Sequence, residues 1–312
     1  MSTAGRTGWV GARLAAVVAL GLAPAGCGRR AANLVTITGS DTMVILAQRW
    51  GDAYMEAHPG TIIRMTGGGS GAGITALIGG GTDLCAASRP LTPEEFERVK
   101  ARRGAEAREI PVALDGIAIY VNGKNRVKAL TLDQVRQIYT GTIRDWKVVG
   151  GQKGPIATLG REPESGTAAW FREHAQAGEE PASGVRILPG GEAMVTAVAG
   201  DPLAIGYASL LGAKGVRVVA VSPRKGKAAV APSRATISAG MYPISRKLYF
   251  YAAGEPTGLT ADFVAWTLSP DGQKVCQEAG YIPLAKPRPA AIRKAGARKA
   301  VPARKLAAKK RK

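Results

Sequence analysis

Histidine and cysteine are scarce in these 312 residues, with two of the first and three of the second. His58 and His174 lie far apart and neither has a partner at ligand spacing, which argues against a zinc centre. No Gly-Lys-Ser/Thr occurs, so the glycine run at 67–73 is not a nucleotide P-loop. Ser70 lacks the second glycine of a Gly-x-Ser-x-Gly elbow, because position 72 is alanine. Ser222-Pro223-Arg224-Lys225 fits Ser-x-x-Lys only within a basic, turn-like stretch that lacks the companion motifs. No nucleophile–base pair and no cofactor motif stands out. The chain reads as a binder, not an enzyme.

Acid is missing from both ends. The first thirty residues hold Arg6, Arg13, Arg29 and Arg30, and twelve Lys or Arg follow from Ala285 onward. Setting these sixteen aside leaves 27 basic residues against all 23 acidic ones, so the formal charge of +20 belongs mostly to the ends. The apolar run at 14–22 is shorter than the ~20 residues of a bilayer span. With Arg6 and Arg13 ahead of it, residues 1–26 read as an export signal and place the protein outside the cytoplasm. Ala23-Pro24-Ala25 fits a signal-peptidase site, while Ala25-Gly26-Cys27 resembles the end of a lipobox with Pro24 at the aliphatic position. Both simple cleavage and lipid attachment at Cys27 stay open. Export permits a Cys85–Cys276 disulfide, and the apolar neighbours of each suit two buried thiols equally. Residues 285–312 carry almost no large apolar side chain, so a disordered basic tail is expected, suited to anionic lipid, envelope polymer or nucleic acid. Export argues against a chromosomal role.

Between the ends, strands and helices alternate. Strands are expected at 34–38, 61–66, 83–88, 156–160, 185–188, 204–207, 216–221 and 247–252, and 109–114 with 116–121 reads as one long extended segment. Met43, Leu46, Ala47, Trp50 and Tyr54 recur at helical spacing, and a short helix follows the glycine run through Ile74, Leu77 and Ile78. Thr92-Pro93-Glu94-Glu95 and Thr131-Leu132-Asp133-Gln134 are capping boxes. Helices are also expected at 167–175 and over 260–279 with a break at Ser269-Pro270, whereas 222–238 reads as turn. This pattern predicts a largely parallel α/β architecture, with extended crossings near 111–116 and 243–247.

Three segments are each suited to hold an anion on backbone N–H groups and hydroxyls. They are Thr38-Gly39-Ser40-Asp41-Thr42, the run 67–73 around Ser70, and Arg161-Glu162-Pro163-Glu164-Ser165-Gly166-Thr167. Each follows a β-branched run and precedes a helical pattern, and a helix N-terminus offers free donors and about half a positive charge. Together they predict one site for a small tetrahedral oxyanion.

These loops, with Ala87-Ser88-Arg89-Pro90, Ala113-Leu114-Asp115-Gly116, 138–146, 204–209 and Tyr242-Pro243-Ile244-Ser245, resemble the periplasmic phosphate-binding proteins of bacterial phosphate-specific ABC importers. The resemblance covers about 34–284. It implies a two-lobed, type II-like periplasmic binding protein fold with two hinge crossover strands: 31–113 plus 244–284 as lobe I and 114–243 as lobe II. It implies a monomer that closes on inorganic phosphate and docks on a membrane permease. Carried over by motif, Ser40, Asp41, Thr42 and Ser70 serve from one lobe and Arg161, Ser165, Gly166 and Thr167 from the other. In the best-studied branch an aspartate stands where this chain has Arg89, and glycine where it has Asp115. That aspartate accepts the proton of hydrogen phosphate. The expectation here is that Asp115 takes over as acceptor or pairs with an Arg89 that contacts the ligand, with Asp41 as rival acceptor. The alternatives are a receptor for sulfate or molybdate, a phosphatase-like enzyme on the same cradle, or a polymer-binding protein acting through its tail.

Overall fold

The computed structural model describes residues 33–210 and 215–284. Residues 1–26, read as an export signal, together with Cys27 and the basic segment from 285, lie outside the described residues. Ten strands form one curled sheet: β1 (Leu34–Gly39), β2 (Ile62–Thr66), β3 (Leu84–Ala87), β4 (Ala107–Asn122), β5 (Ala129–Thr131), β6 (Ala157–Arg161), β7 (Arg186–Leu188), β8 (Ala204–Ser209), β9 (Val216–Ser222) and β10 (Ser245–Ala253). The order is β2-β1-β3-β10-β4-β8-β6-β7, with β9 also on β4 and β5 on β9.

The helices are α1 (Val44–Ala57), α2 (Gly69–Gly79), α3 (Pro93–Arg103), α4 (Leu132–Tyr139), α5 (Gly166–Ala175), α6 (Gly190–Gly200), α7 (Arg234–Ser238), α8 (Gly258–Leu268) and α9 (Pro270–Glu278). Both expected capping boxes form: Thr92 and Thr131 each accept from the backbone N–H three residues on, and Glu95 and Gln134 reach back. These caps place the starts of α3 and α4.

Helices cover both faces of the sheet, and strand alternation sorts side chains between them. In β3, Leu84 and Ala86 join α1, α8 and α9 in one core, while Cys85 and Ala87 face α2 and α3. In the far part of β4, Ile117, Ile119 and Val121 pack with α4 and α5, and Ala118 and Tyr120 with α6. Cys85 and Cys276 therefore sit in different cores and are both free, buried thiols. Burial pushes the Cys276 thiol up to about 12 and Cys85 higher still.

Two differences from the expected pattern bear on the site. The sheet is mixed, not largely parallel: the four antiparallel pairings all involve β4 or β10. The long extended segment expected over 109–114 and 116–121 forms as the single strand β4, whose first part pairs with β10 and whose last part pairs with β8 and β9. A strand that changes partners midway joins the two parts of the sheet without a turn. Finally, 190–200 is helical and 234–238 forms a short helix capped by Ser233. Glycine at 190, 191 and 200 hides the first from a propensity reading.

Candidate functional site

The three segments meet. Ser40 follows β1, and Thr42 lies in the single turn of 3-10 helix, Asp41–Met43, that leads into α1. Ser70 stands in the first turn of α2. Arg161 is the last residue of β6, and Ser165 caps α5 by accepting from the Ala168 N–H at 3.2 Å. All these positions lie at C-terminal ends of parallel strands or at the helix N-termini that follow, where open α/β sheets collect ligands. Ser40, Ser70, Arg161, Ser165 and Thr167 are buried.

Contacts run between the β1–α2 side and the β6–α5 side. The Thr42 and Thr167 hydroxyls are 3.0 Å apart, and the Gly71 N–H donates to the Glu164 carbonyl at 3.0 Å. Gly166 approaches so closely that a Cβ there would lie 2.2 Å from Ser70 Oγ and 2.7 Å from Ser88 Oγ. Only glycine leaves room at that helix start. Arg161 forks onto Glu162, through Nε at 3.0 Å and Nη2 at 2.7 Å, and Nη2 lies 3.6 Å from the Asp41 carboxylate. Asp41 also accepts the Gly68 N–H at 2.9 Å. Burial works against the Glu162 carboxylate, but the Arg161 hydrogen bonds outweigh it and hold its pKa below the usual range.

Two expectations about the departures need correction. Arg89 does not pair with Asp115 and its guanidinium is not in the cluster. Nη1 and Nη2 bind Glu95 at 2.7 and 2.8 Å, and Nη1 also donates to the Pro90 carbonyl. Glu95 is the reaching-back residue of the α3 capping box, so Arg89 belongs to that helix start. The hydrogen bond to Glu95 raises the Arg89 pKa. The partner of Asp115 is Arg246, directly opposite it in the β4–β10 register. Arg246 Nε and Nη2 donate to Asp115 Oδ2 at 2.9 and 2.7 Å, and Ser209 Oγ donates to Asp115 Oδ1 at 2.5 Å. With three donors on it, Asp115 serves as the counter-ion of Arg246. Burial pulls the guanidinium's pKa down and Asp115 opposes that pull.

Arg246, Ser88 and Ser209 are the site neighbours that the sequence reading missed. The strand expected at 247–252 starts after Arg246, and the extended crossing expected at 243–247 contains it without marking it as a site residue. Taken from Ser245, the strand alternates Arg246 inward, Lys247 outward and Leu248 inward, and a lone arginine on the inward register is the signal. His58 stacks on Tyr54 and His174 on Trp170. Among the described residues no group of three or more His, Cys, Asp or Glu is placed to hold a metal, and no helix is long and apolar enough to cross a membrane.

A family model described as a PBP superfamily domain matches residues 27–271, and the chain belongs to that superfamily. The phosphate-binding protein PstS of Pseudomonas aeruginosa is 32% identical over 283 residues, covering 85% of this chain and 87% of its own length. PstS of Bacillus subtilis is 32% identical over 256 residues, covering 82% of each. Within the superfamily the chain is thus a member of the PstS family. A Clostridium perfringens protein described as a phosphate ABC transporter substrate-binding protein with bound phosphate has a TM-score of 0.73 and 30% identity, over 81% of this chain and all of its own. An ABC-type phosphate transport receptor from Vibrio cholerae has a TM-score of 0.67 and 29% identity, over 80% and 99%.

Proposed function

We propose that this protein is the extracytoplasmic receptor of a phosphate ABC importer: it captures inorganic phosphate and presents it to a membrane permease. The observation that carries the reading is the convergence of Thr42 and Ser70 with Arg161 and Thr167, from opposite sides of the sheet, at helix N-termini. A dehydrated dianion regains its lost hydration only through many donors, and those carrying charge contribute most. Ser40, Thr42, Ser70, Arg161, Ser165, Gly166 and Thr167 supply them. Asp41 is the acid beside Arg161 and takes the role of acceptor for the phosphate proton, since Asp115 is committed to Arg246 and Ser209.

In this reading residues 31–113 with 244–284 form one lobe and 114–243 the other, joined by β4 and β10. Separate cores on the two sides of the β4 midpoint support the division. Phosphate contacted from both sides shifts the open–closed balance toward the closed form that the permease recognises. No turnover is required, and the protein acts as a monomer. Cys27 as a lipid anchor and the basic tail as a contact for anionic lipid or envelope polymer belong to the same picture.

Thermal unfolding of anion-stripped protein with phosphate, sulfate and molybdate in turn tests this. At 100 times its dissociation constant a ligand stabilises the folded state by about 2.7 kcal/mol. A shift with phosphate alone is expected. A shift with sulfate or molybdate alone makes this a receptor for another oxyanion, and turnover of a chromogenic phosphate ester makes it an enzyme.

A further inference from the structure

We propose that Arg246 is a positioning residue for anion binding: from beneath the site it turns the hydroxyls of Thr42 and Thr167 into donors that face the ligand. This rests on the phosphate reading above.

The Arg246 side chain is fully buried, and every bond it makes has a direction. Nε and Nη2 hold one oxygen of Asp115, and Nη1 donates to the Ser88 carbonyl at 3.0 Å. The remaining N–H of Nη2 is shared between Thr167 Oγ1 at 3.0 Å and Thr42 Oγ1 at 3.3 Å. A guanidinium only donates, and a hydroxyl has one proton and two acceptor lone pairs. Each threonine oxygen that receives an arginine N–H must aim its own proton elsewhere. One of the two can donate to the other across their 3.0 Å gap, which leaves at least one proton aimed outward. An anion seated against both oxygens takes both protons.

Arg246 is poorly placed to act simply as a counter-charge, because Asp115 neutralises it at 2.7 Å. What the pair provides is geometry. Asp115 and Ser209 fix the guanidinium plane, and that plane fixes two hydroxyls delivered by different elements: the turn before α1 and the start of α5. Lysine keeps the charge but not the fork, so it cannot hold Asp115, the Ser88 carbonyl and both threonines at once.

The test is a coupling measurement. Phosphate is titrated by calorimetry into the full chain, into Arg246→Lys, into Thr42→Val/Thr167→Val, and into the combination. Arg246→Lys is expected to raise Kd roughly ten- to a hundredfold, the scale of hydrogen bonds to charged groups. Added to the two valines it should cost little more, because its effect passes through the hydroxyls they lack. The charge-neutral pair Asp115→Asn/Arg246→Met covers the case in which lysine does not fold, and it should weaken phosphate to the same degree. Losses that multiply, or wild-type affinity in Arg246→Lys, overturn the positioning role while phosphate binding stands. A wild-type chain that binds no phosphate overturns both readings.

Discussion

Replacing Gly166 by alanine separates binding from folding. Position 166 opens α5, its φ is not positive, and alanine fits that backbone, with an advantage smaller than the ~0.8–1.0 kcal/mol it has over glycine in a helix interior. Judged by its own helix, the variant should be more stable. The added Cβ, however, falls 2.2 Å from Ser70 Oγ and 2.7 Å from Ser88 Oγ, against an ordinary contact of roughly 3.5 Å. The start of α5 must retreat from α2 by about 1 Å, a distance set by that overlap. Thr42–Thr167 and Arg246–Thr167, each at 3.0 Å, then stretch beyond hydrogen-bonding range, and the Gly71–Glu164 bond is strained with them. If the two sides of the sheet separate when no anion is held, the overlap vanishes in that open form. The expected result is therefore split: unfolding without phosphate is unchanged or slightly later, while phosphate Kd rises at least tenfold, the scale of one lost charge-assisted hydrogen bond. Calorimetric titration and thermal unfolding on the same samples read both halves. Wild-type phosphate affinity would refute the close-contact argument. A large loss of stability without phosphate would refute the separation.

Asp41→Asn removes the acid beside Arg161, so phosphate binding should weaken roughly tenfold and sulfate should compete better than it does with the unaltered chain. Sulfate competition unchanged by the substitution sinks the acceptor role. Glu95 and Glu162 have pKa values held below the usual range by Arg89 and Arg161, against burial. Their unfolded forms bind protons first, so the stability they confer is present above about pH 4.5 and is lost as pH falls through the lowered values. Glu95→Gln should flatten that acid-side slope in urea unfolding at pH 3–5, and an unchanged slope counts against it. Cys85 and Cys276 should resist a thiol reagent in the folded state and both react in denaturant, and reductant should leave the melting temperature unchanged. Early reaction of either disagrees with its burial.

The parts of this fold that were legible in the sequence are those specified locally. Capping boxes at Thr92 and Thr131 fixed helix starts because one hydroxyl and one carboxyl or amide decide them within four residues. The three anion loops were visible because each carries its donors contiguously. Long-range pairing was not legible. That Asp115 faces Arg246 depends on register between strands 131 residues apart, and nothing near either residue reports it. Arg89 was misplaced for the opposite reason: its true partner, Glu95, lies six residues on, hidden by that residue's capping role. The mixed sheet was missed because alternation of strands and helices does not reveal a sixteen-residue strand that changes neighbours midway.

The position of β10, between β3 and β4, has a consequence for how the chain assembles. Residues 117–244 contain almost all of one core and can complete it as they emerge. Val35, Trp50 and Ile110 share theirs with Phe250, Phe263 and Tyr281, which are made nearly last. Domains tend to fold as units and in order of synthesis, and contacts between distant residues form slowly. Here that order is inverted: the segment made first must wait, with its apolar strands unpaired, until the other half has closed and the final strand arrives. The interval in which 34–112 stays open is also an interval in which a polypeptide can still be threaded across a membrane.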